Sequence, residues 1–327
     1  MIYQEIRHVI SSEQFANIDL VEQLFSRATE LKDRDKKREL PKSMEGLSMT
    51  YLFYEPSTRT RLSFIGAMKK LGGMADGTES ARVFSSVTKG ETLEDSIIVV
   101  SNYSDVIVLR YDKKGGAERA AKVSKVPILN AGDGTGEHPT QFLLDLYTIG
   151  DEFKNRGNNT LERLKGLKIA LVGDLKYGRT VHSLVKAAHT YFANGNKIYL
   201  VSPDQLRLPD EYKSDITSAG IIVEELKDWN KILPEVDVLY MTRVQKERFE
   251  SEEEYEKVKG SYIFDEPELS IFNPNGIIMH PLPRAGEISF AVDRDPRAAY
   301  FRQAENGLYV RMALLEEVTG YNRRLAA

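Results

Sequence analysis

Residues 47–73, LSMTYLFYEPSTRTRLSFIGAMKKLGG, change their hydrophobic period half-way along. Leu47-Ser-Met-Thr-Tyr-Leu-Phe-Tyr54 is a short apolar run that reads as a buried strand. Glu55-Pro-Ser-Thr58 is a polar loop. From Thr60 onward, Leu62, Ile65, Met68 and Leu71 recur at helical spacing, and Gly72-Gly73 stops the helix. Strand, short loop, helix is the repeating piece of a parallel α/β sheet.

Working outward, the same alternation recurs. Towards the N-terminus, residues 19–32 read as an amphipathic helix capped by Asp19, with Leu20, Leu24, Ala28 and Leu31 on one face. The charge run Lys32–Glu39 reads as its solvated end. Towards the C-terminus, a helix is expected from Glu91 to about Tyr103. Strands are expected at Val106–Leu109, ending at Arg110, and at Val126–Leu129, leading into the glycine-rich loop Asn130–Pro139. A helix begins near Thr140. The polar stretch Asn155-Arg-Gly-Asn-Asn-Thr160 then suggests a domain boundary. Beyond it come strands at 168–172, 197–201, 221–224, 236–240 and 276–280, a helix from Thr180 to about Phe192, and a helical stretch from Ala298 to Val318. The expected class is α/β, with two domains, each a mostly parallel sheet flanked by helices.

Composition narrows the function. The chain has 327 residues, enough for about two domains. Apolar residues make up 41% and charged residues 29%, an ordinary globular balance. Lys plus Arg is 45 against 49 Asp plus Glu, so the net charge of −4 offers no general basic face for nucleic acid. Cysteine is absent, which excludes disulfides, a thiol nucleophile and cysteine-ligated zinc. No apolar run approaches the roughly 20 residues of a membrane span. Met1-Ile-Tyr-Gln-Glu-Ile-Arg-His8 shows no leader pattern, so a cytoplasmic protein is expected.

The chemistry is concentrated after the strands, where ligands bind in such sheets. The segments are Glu55–Arg61, Arg110, His138-Pro-Thr-Gln141, Gly173–Thr180, Met241-Thr-Arg-Val-Gln245 and His280-Pro-Leu-Pro-Arg284. They carry arginine, histidine, threonine and glutamine, which points to an anionic ligand. Ser57-Thr-Arg-Thr-Arg61 opens a helix after a strand, so backbone N–H groups, hydroxyls and guanidinium groups can all donate to phosphate. Gly173-Asp-Leu-Lys-Tyr-Gly-Arg-Thr180 nearly matches a P-loop, but Arg179 replaces the lysine and Asp174 adds a negative charge, which disfavours nucleotide hydrolysis. None of the five histidines has metal-ligand spacing. His182 and His189 read as ordinary helix residues, and His280 as a structural residue of its turn. His138 is placed to donate to a reacting oxygen. No G-x-S-x-G elbow supports a hydrolytic triad.

Taken together, Phe53–Arg61, His138–Gln141, Gly173–His182, Leu239–Arg248 and His280–Arg284 closely resemble the catalytic chains of aspartate carbamoyltransferases. The resemblance spans about residues 50 to 310. It implies transfer of a carbamoyl group from carbamoyl phosphate to the α-amine of L-aspartate, an early step of pyrimidine biosynthesis, with no cofactor and no metal. It implies a carbamoyl phosphate-binding domain over 1–152, an aspartate-binding domain over 153–300, and a C-terminal helix over 301–327 returning to the first domain. Ser57, Thr58, Arg59 and Thr60 would hold the phosphate. Arg110 would bridge phosphate and carbonyl oxygen, to which Thr60 and His138 also donate. Gln141 and the carbonyls of Pro281 and Leu282 would orient the carbamoyl nitrogen. Arg179 would bind the α-carboxylate of aspartate, and Arg243 with Gln245 the β-carboxylate. Ser85 and Lys89 match residues that the family supplies from the neighbouring subunit of a homotrimer. The family often has Gly-Lys-Lys-Gly-Glu there, against Val87-Thr-Lys-Gly-Glu91 in this chain. A separate regulatory chain is left open. A transcarbamoylase for another amine, an inactive homologue and a P-loop NTPase are the competing readings.

Overall fold

The computed structural model describes residues 6–84, 90–134, 136–193, 195–244, 249 and 251–321. The chain divides into two compact units, one of residues 1–147 with 305–327 and the other of residues 148–304.

In the first unit the order is α1 (Ile18–Lys37), β1 (Ser48–Phe53), α2 (Thr58–Lys70), β2 (Met74–Thr78), α3 (Ala81–Phe84), α4 (Leu93–Val100), β3 (Val106–Tyr111), α5 (Gly116–Val123) and β4 (Ile128–Asp133). The four strands form a sheet in the order β2-β1-β3-β4, and every pairing is parallel. Parallel neighbours require crossover connections, here helical. Leu52, Ile107, Leu109 and Ile128 pack on one face against Leu93, Ile97 and Ala120 from α4 and α5.

Helix α6 (Pro139–Glu152) begins in the first unit and ends in the second. There follow β5 (Lys168–Val172), α7 (Arg179–Tyr191), β6 (Lys197–Val201), α8 (Asp210–Ser218), β7 (Ile222–Leu226), β8 (Val238–Met241), α9 (Glu252–Val258), α10 (Glu266–Ile271) and β9 (Ile277–Met279). These strands are ordered β7-β6-β5-β8-β9, again all parallel. The core of this unit centres on Val172, Val201, Leu239, Ile278 and Trp229. Helix α11 (Tyr300–Val318) carries the chain back to the first unit.

The expected class is observed, and several local readings change. The cap of α1 is Asn17, whose side chain accepts from Leu20 N, in place of Asp19. Helix α1 runs through the charge run to Lys37. Strand β4 continues through Asn130-Ala-Gly-Asp133, where the glycine-rich sequence predicts a loop. These polar positions are tolerated because they are satisfied: Asn130 donates to Ile10 O and accepts from Gly132 N. The helix expected over 91–103 is shorter, Leu93–Val100, because the Thr92 hydroxyl caps it by accepting from Asp95 N. Strand β2 and helix α5 had no clear signal in the sequence.

Candidate active site

In the first unit, β1 delivers the chain to Glu55-Pro56, and Ser57 is the extended N-cap residue of α2. The first intrahelical bond is Arg61 N to Ser57 O, so the N–H groups of Thr58, Arg59 and Thr60 precede any helical acceptor. Thr58 and Arg59 are exposed, whereas Thr60 is buried. Arg61 does not join the donor set. It forms an ion pair with Glu79 at 2.5 Å and lies 6.0 Å from the Tyr51 ring centroid.

Beside this helix start, Arg110 is the penultimate residue of β3, paired across the sheet with Phe53. Its Nη1 donates to Ala131 O at 3.0 Å and its Nη2 to Glu55 Oε2 at 3.1 Å, leaving the guanidinium buried and fixed. The next group is His138, just before α6. Its Nε2 lies 3.4 Å from Thr60 Oγ1 and its Nδ1 lies 3.4 Å from Thr140 Oγ1. Asp133 organises the loop leading to it by accepting from Gly115 N and Glu137 N. Burial pushes the Asp133 carboxyl above the usual aspartate range, against those backbone donors. Gln141 donates through Nε2 to Asp145 Oδ1 at 2.9 Å. The first unit therefore gathers a helix start, a fixed guanidinium and a histidine, a donor set suited to a phosphate bearing a carbonyl group.

In the second unit, β5 and β8 are paired in parallel, so the segments that follow them leave the same edge of the sheet. After β5, Gly173 takes a φ of 109° and passes so close to Thr242 that a Cβ would lie 2.4 Å from its carbonyl oxygen. Asp174 N donates to Thr242 Oγ1, and Tyr177 N donates to the Asp174 carboxylate. Asp174 is thus a turn-forming residue, and Arg179 is set at the first position of α7. Arg243 follows β8 by two residues and is half-buried. Two guanidinium groups on adjacent strand ends suit a dicarboxylate. His182 packs flat on Tyr212 and bonds Leu175 O through Nε2, as an ordinary helix residue would; burial lowers its pKa.

After β9, the turn His280–Arg284 contains a cis Leu282–Pro283 bond, and Leu282 has a φ of 54°. His280 holds that turn. Its Nδ1 accepts from Leu282 N at 2.7 Å, so the proton is on Nε2, which meets Glu287 Oε1 at 2.6 Å. Arg284 is committed elsewhere, to Asp293 and over the Phe290 ring. Ser85, Lys89 and Gln245 lie outside the described residues. Among the described residues no group of three or more His, Asp or Glu could hold a metal ion. The sequence reading missed Glu55, Asp133, Thr140, Asp145 and Arg311. Of these, Glu55, Asp133 and Thr140 stand within segments singled out above without a role of their own, and Arg311 leaves a trace as a lone arginine inside the apolar run Tyr309–Leu315.

Residues 7–151 match the family model of the aspartate/ornithine carbamoyltransferase carbamoyl-P binding domain, and residues 165–318 match that of the Asp/Orn binding domain. The chain is 48% identical over 313 residues to a chloroplastic aspartate carbamoyltransferase of Arabidopsis thaliana, covering 95% of this chain and 77% of that protein. It is 47% identical over 314 residues to an aspartate carbamoyltransferase catalytic subunit of Clostridium novyi, covering 96% and 98%. Among solved structures, the catalytic subunit of M. jannaschii aspartate transcarbamoylase superposes with a TM-score of 0.88 at 44% identity, covering 97% of this chain and 99% of that one. Aspartate transcarbamoylase of Trypanosoma cruzi in complex with N-(phosphonacetyl)-L-aspartic acid gives 0.83 at 39% identity, covering 96% of each.

Proposed function

The chain belongs to the aspartate/ornithine carbamoyltransferase family, and from that premise we propose how it transfers the carbamoyl group of carbamoyl phosphate to the α-amine of L-aspartate. The observation that carries the choice of acceptor is the pair Arg179 and Arg243, which follow the adjacent strands β5 and β8. Aspartate has two carboxylates to meet them and ornithine has one. The relatives named aspartate carbamoyltransferase, at 45–49% identity, support the same choice.

Carbamoyl phosphate is assigned to the first unit. Ser57, Thr58, Arg59 and Thr60 take the phosphate oxygens, and Arg110 spans phosphate and carbonyl oxygen. Thr60 and His138 donate to that oxygen, on which negative charge grows as the amine attacks. Gln141 accepts from the carbamoyl nitrogen through Oε1, and the Pro281 and Leu282 carbonyls accept from it as well. Aspartate is assigned to the second unit, with Arg179 on the α-carboxylate and Arg243 with Gln245 on the β-carboxylate. The amine nitrogen forms a bond to the carbonyl carbon, the bond from that carbon to the bridging oxygen breaks, and phosphate leaves with the amine proton. The ligands bring roughly four negative charges, and leaving such ions desolvated without partners costs several kcal/mol each. Alignment and fixed donors, in place of a protein nucleophile, lower the barrier.

Ser85 and Lys89 are assigned to the neighbouring subunit's site in a homotrimer, and the reaction to pyrimidine biosynthesis in the cytoplasm. Among the described residues no helix is long and apolar enough to cross a membrane. The deciding experiment offers L-aspartate and L-ornithine in parallel with carbamoyl phosphate. Carbamoylation of aspartate alone is expected. Carbamoylation of ornithine alone would overturn the acceptor, and turnover of neither would mark an inactive homologue.

A further inference from the structure

Arg311 of α11 is a buried cation that the reaction scheme does not use. Its Nη2 donates to Thr140 Oγ1 at 3.2 Å, and its Cζ lies 5.1 Å from the ring centroid of Phe64 on α2. Gly307, one turn earlier, makes room for it, since a Cβ there would lie 2.5 Å from Nη1. Among the described residues its Nε has no hydrogen-bond partner. Burial pushes the guanidinium down to about 10, and the charge of Asp145 opposes that shift. A desolvated cation with so few hydrogen bonds contributes little net stability, and its consequence is the order it imposes on the groups it touches.

We propose that Arg311 is a positioning residue that sets the hydrogen-bonding face of His138. The inference rests on the reading above in which the His138 side chain meets the carbonyl oxygen. A guanidinium only donates, so Thr140 Oγ1 accepts from Arg311. The other partner of that hydroxyl among the described residues is His138 Nδ1, at 3.4 Å. The hydroxyl hydrogen therefore goes to Nδ1, and the neutral ring carries its own proton on Nε2. That nitrogen faces Thr60 Oγ1. The opposite tautomer would strand a buried hydroxyl hydrogen and present a lone pair to the carbonyl oxygen. One cation, acting through the Thr140 hydroxyl, thus makes His138 a donor at the carbonyl oxygen.

The test is nitrogen NMR on protein labelled in its histidine rings, read together with steady-state kinetics. His138→Gln assigns the His138 signals. Wild type should show Nε2 protonated and Nδ1 bare. Thr140→Val should release the ring into a tautomer mixture and lower kcat about tenfold, the worth of one hydrogen bond. Thr140→Ser should restore both readouts, which a merely structural role would not require. Arg311→Met should reproduce the tautomer change, and adding Thr140→Val to it should lower kcat by less than about twofold more. An unchanged Nε2–H signal with near wild-type kcat in Thr140→Val would overturn the inference, and that variant decides the matter even if Arg311→Met fails to fold. The two readings fail separately. A His138→Gln enzyme that turns over normally sinks the assignment of His138 to the carbonyl oxygen. A crippled His138→Gln enzyme, beside an undisturbed tautomer in Thr140→Val, sinks only the role of Arg311.

Discussion

Gly132 lies directly against Arg110: a Cβ at position 132 would stand 2.5 Å from Arg110 Nη1. The glycine also has a φ of 115°, where a larger residue is strained. Gly132→Ala should therefore displace the guanidinium that the proposed reaction relies on. A shift of about 1 Å can cost about 100-fold in rate. The backbone strain costs only about 1–2 kcal/mol and a few degrees in Tm. The expected result is a loss of kcat/KM for carbamoyl phosphate far out of proportion to the change in melting temperature. Equal, small losses in both would show that Arg110 tolerates displacement.

Arg110→Lys gives a complementary result. The guanidinium uses Nη1 on Ala131 O and Nη2 on Glu55, and its planar fork is what allows both while it faces an anion. An ammonium keeps the charge but not the fork. Activity should fall about 100-fold or more, with the loss mainly in kcat, as for removal of an oxyanion donor. Steady-state kinetics in carbamoyl phosphate at saturating aspartate measure the split.

Arg179→Ala and Arg243→Ala address the acceptor. Each should weaken binding of succinate, which keeps both carboxylates and lacks the amine, by about 10- to 100-fold, the worth of one charged hydrogen-bonding group. Binding of carbamoyl phosphate alone should be unchanged in both. Competitive inhibition against aspartate and equilibrium binding of carbamoyl phosphate separate the two effects. Equal weakening of both ligands would indicate a disturbed fold.

The placement of these candidate groups is legible because, in a parallel sheet, the segments that follow the strands leave from one edge. The strand–loop–helix signal of 47–73, the donors of Ser57–Thr60 and the arginine at 110 could be read from local periodicity and residue type. Strand β2, Met-Ala-Asp-Gly-Thr, could not, because it takes its conformation from pairing with β1 and not from its own side chains. Asn130–Gly132 read as loop for a related reason. The Asn130 side-chain bonds to Ile10 and Gly132, and those of Asp133 with Gly115 and Glu137, make a buried polar strand tolerable, and such partners are distant or conformation-dependent. Arg61 looked equal to Arg59 in sequence. Its pairing with Glu79, which follows β2, exists only in the folded chain, and no spacing rule encodes it. Arg311 lies 171 residues beyond Thr140, so its contact exists only in the folded chain.

Acid should weaken the turn at 280–287. Burial opposes ionisation of Glu287, yet the hydrogen bonds from His280 and Ala285 N hold its carboxyl below the ordinary value of 4.5. Asp293 is likewise held low, by Arg284. A carboxyl with a depressed folded pKa contributes stability above its unfolded pKa and loses that contribution as pH falls through the folded value. Thermal unfolding should therefore show a loss of stability below about pH 4.5. Glu287→Gln should be less stable near neutrality and should flatten part of that acid slope. An unchanged slope would mean that the pair does not couple to folding.

The proposed homotrimer makes a quantitative prediction through Arg59 and Lys89. If each site takes Arg59 from one subunit and Lys89 from its neighbour, Arg59→Ala and Lys89→Ala trimers should both be nearly inactive. In a cyclic trimer holding both variants, one of the three interfaces joins a chain with intact Arg59 to a neighbour with intact Lys89, in the required direction. Random exchange at equal amounts leaves about three-quarters of trimers mixed, each with about one working site in three, so activity should recover to about one quarter of wild type. The yield should follow the fraction of mixed trimers as the ratio is varied, peaking at equal amounts. A site built within one subunit always contains a lesion, whichever chain it belongs to. Verified hybrids with no recovered activity would therefore place both residues in the same subunit's site.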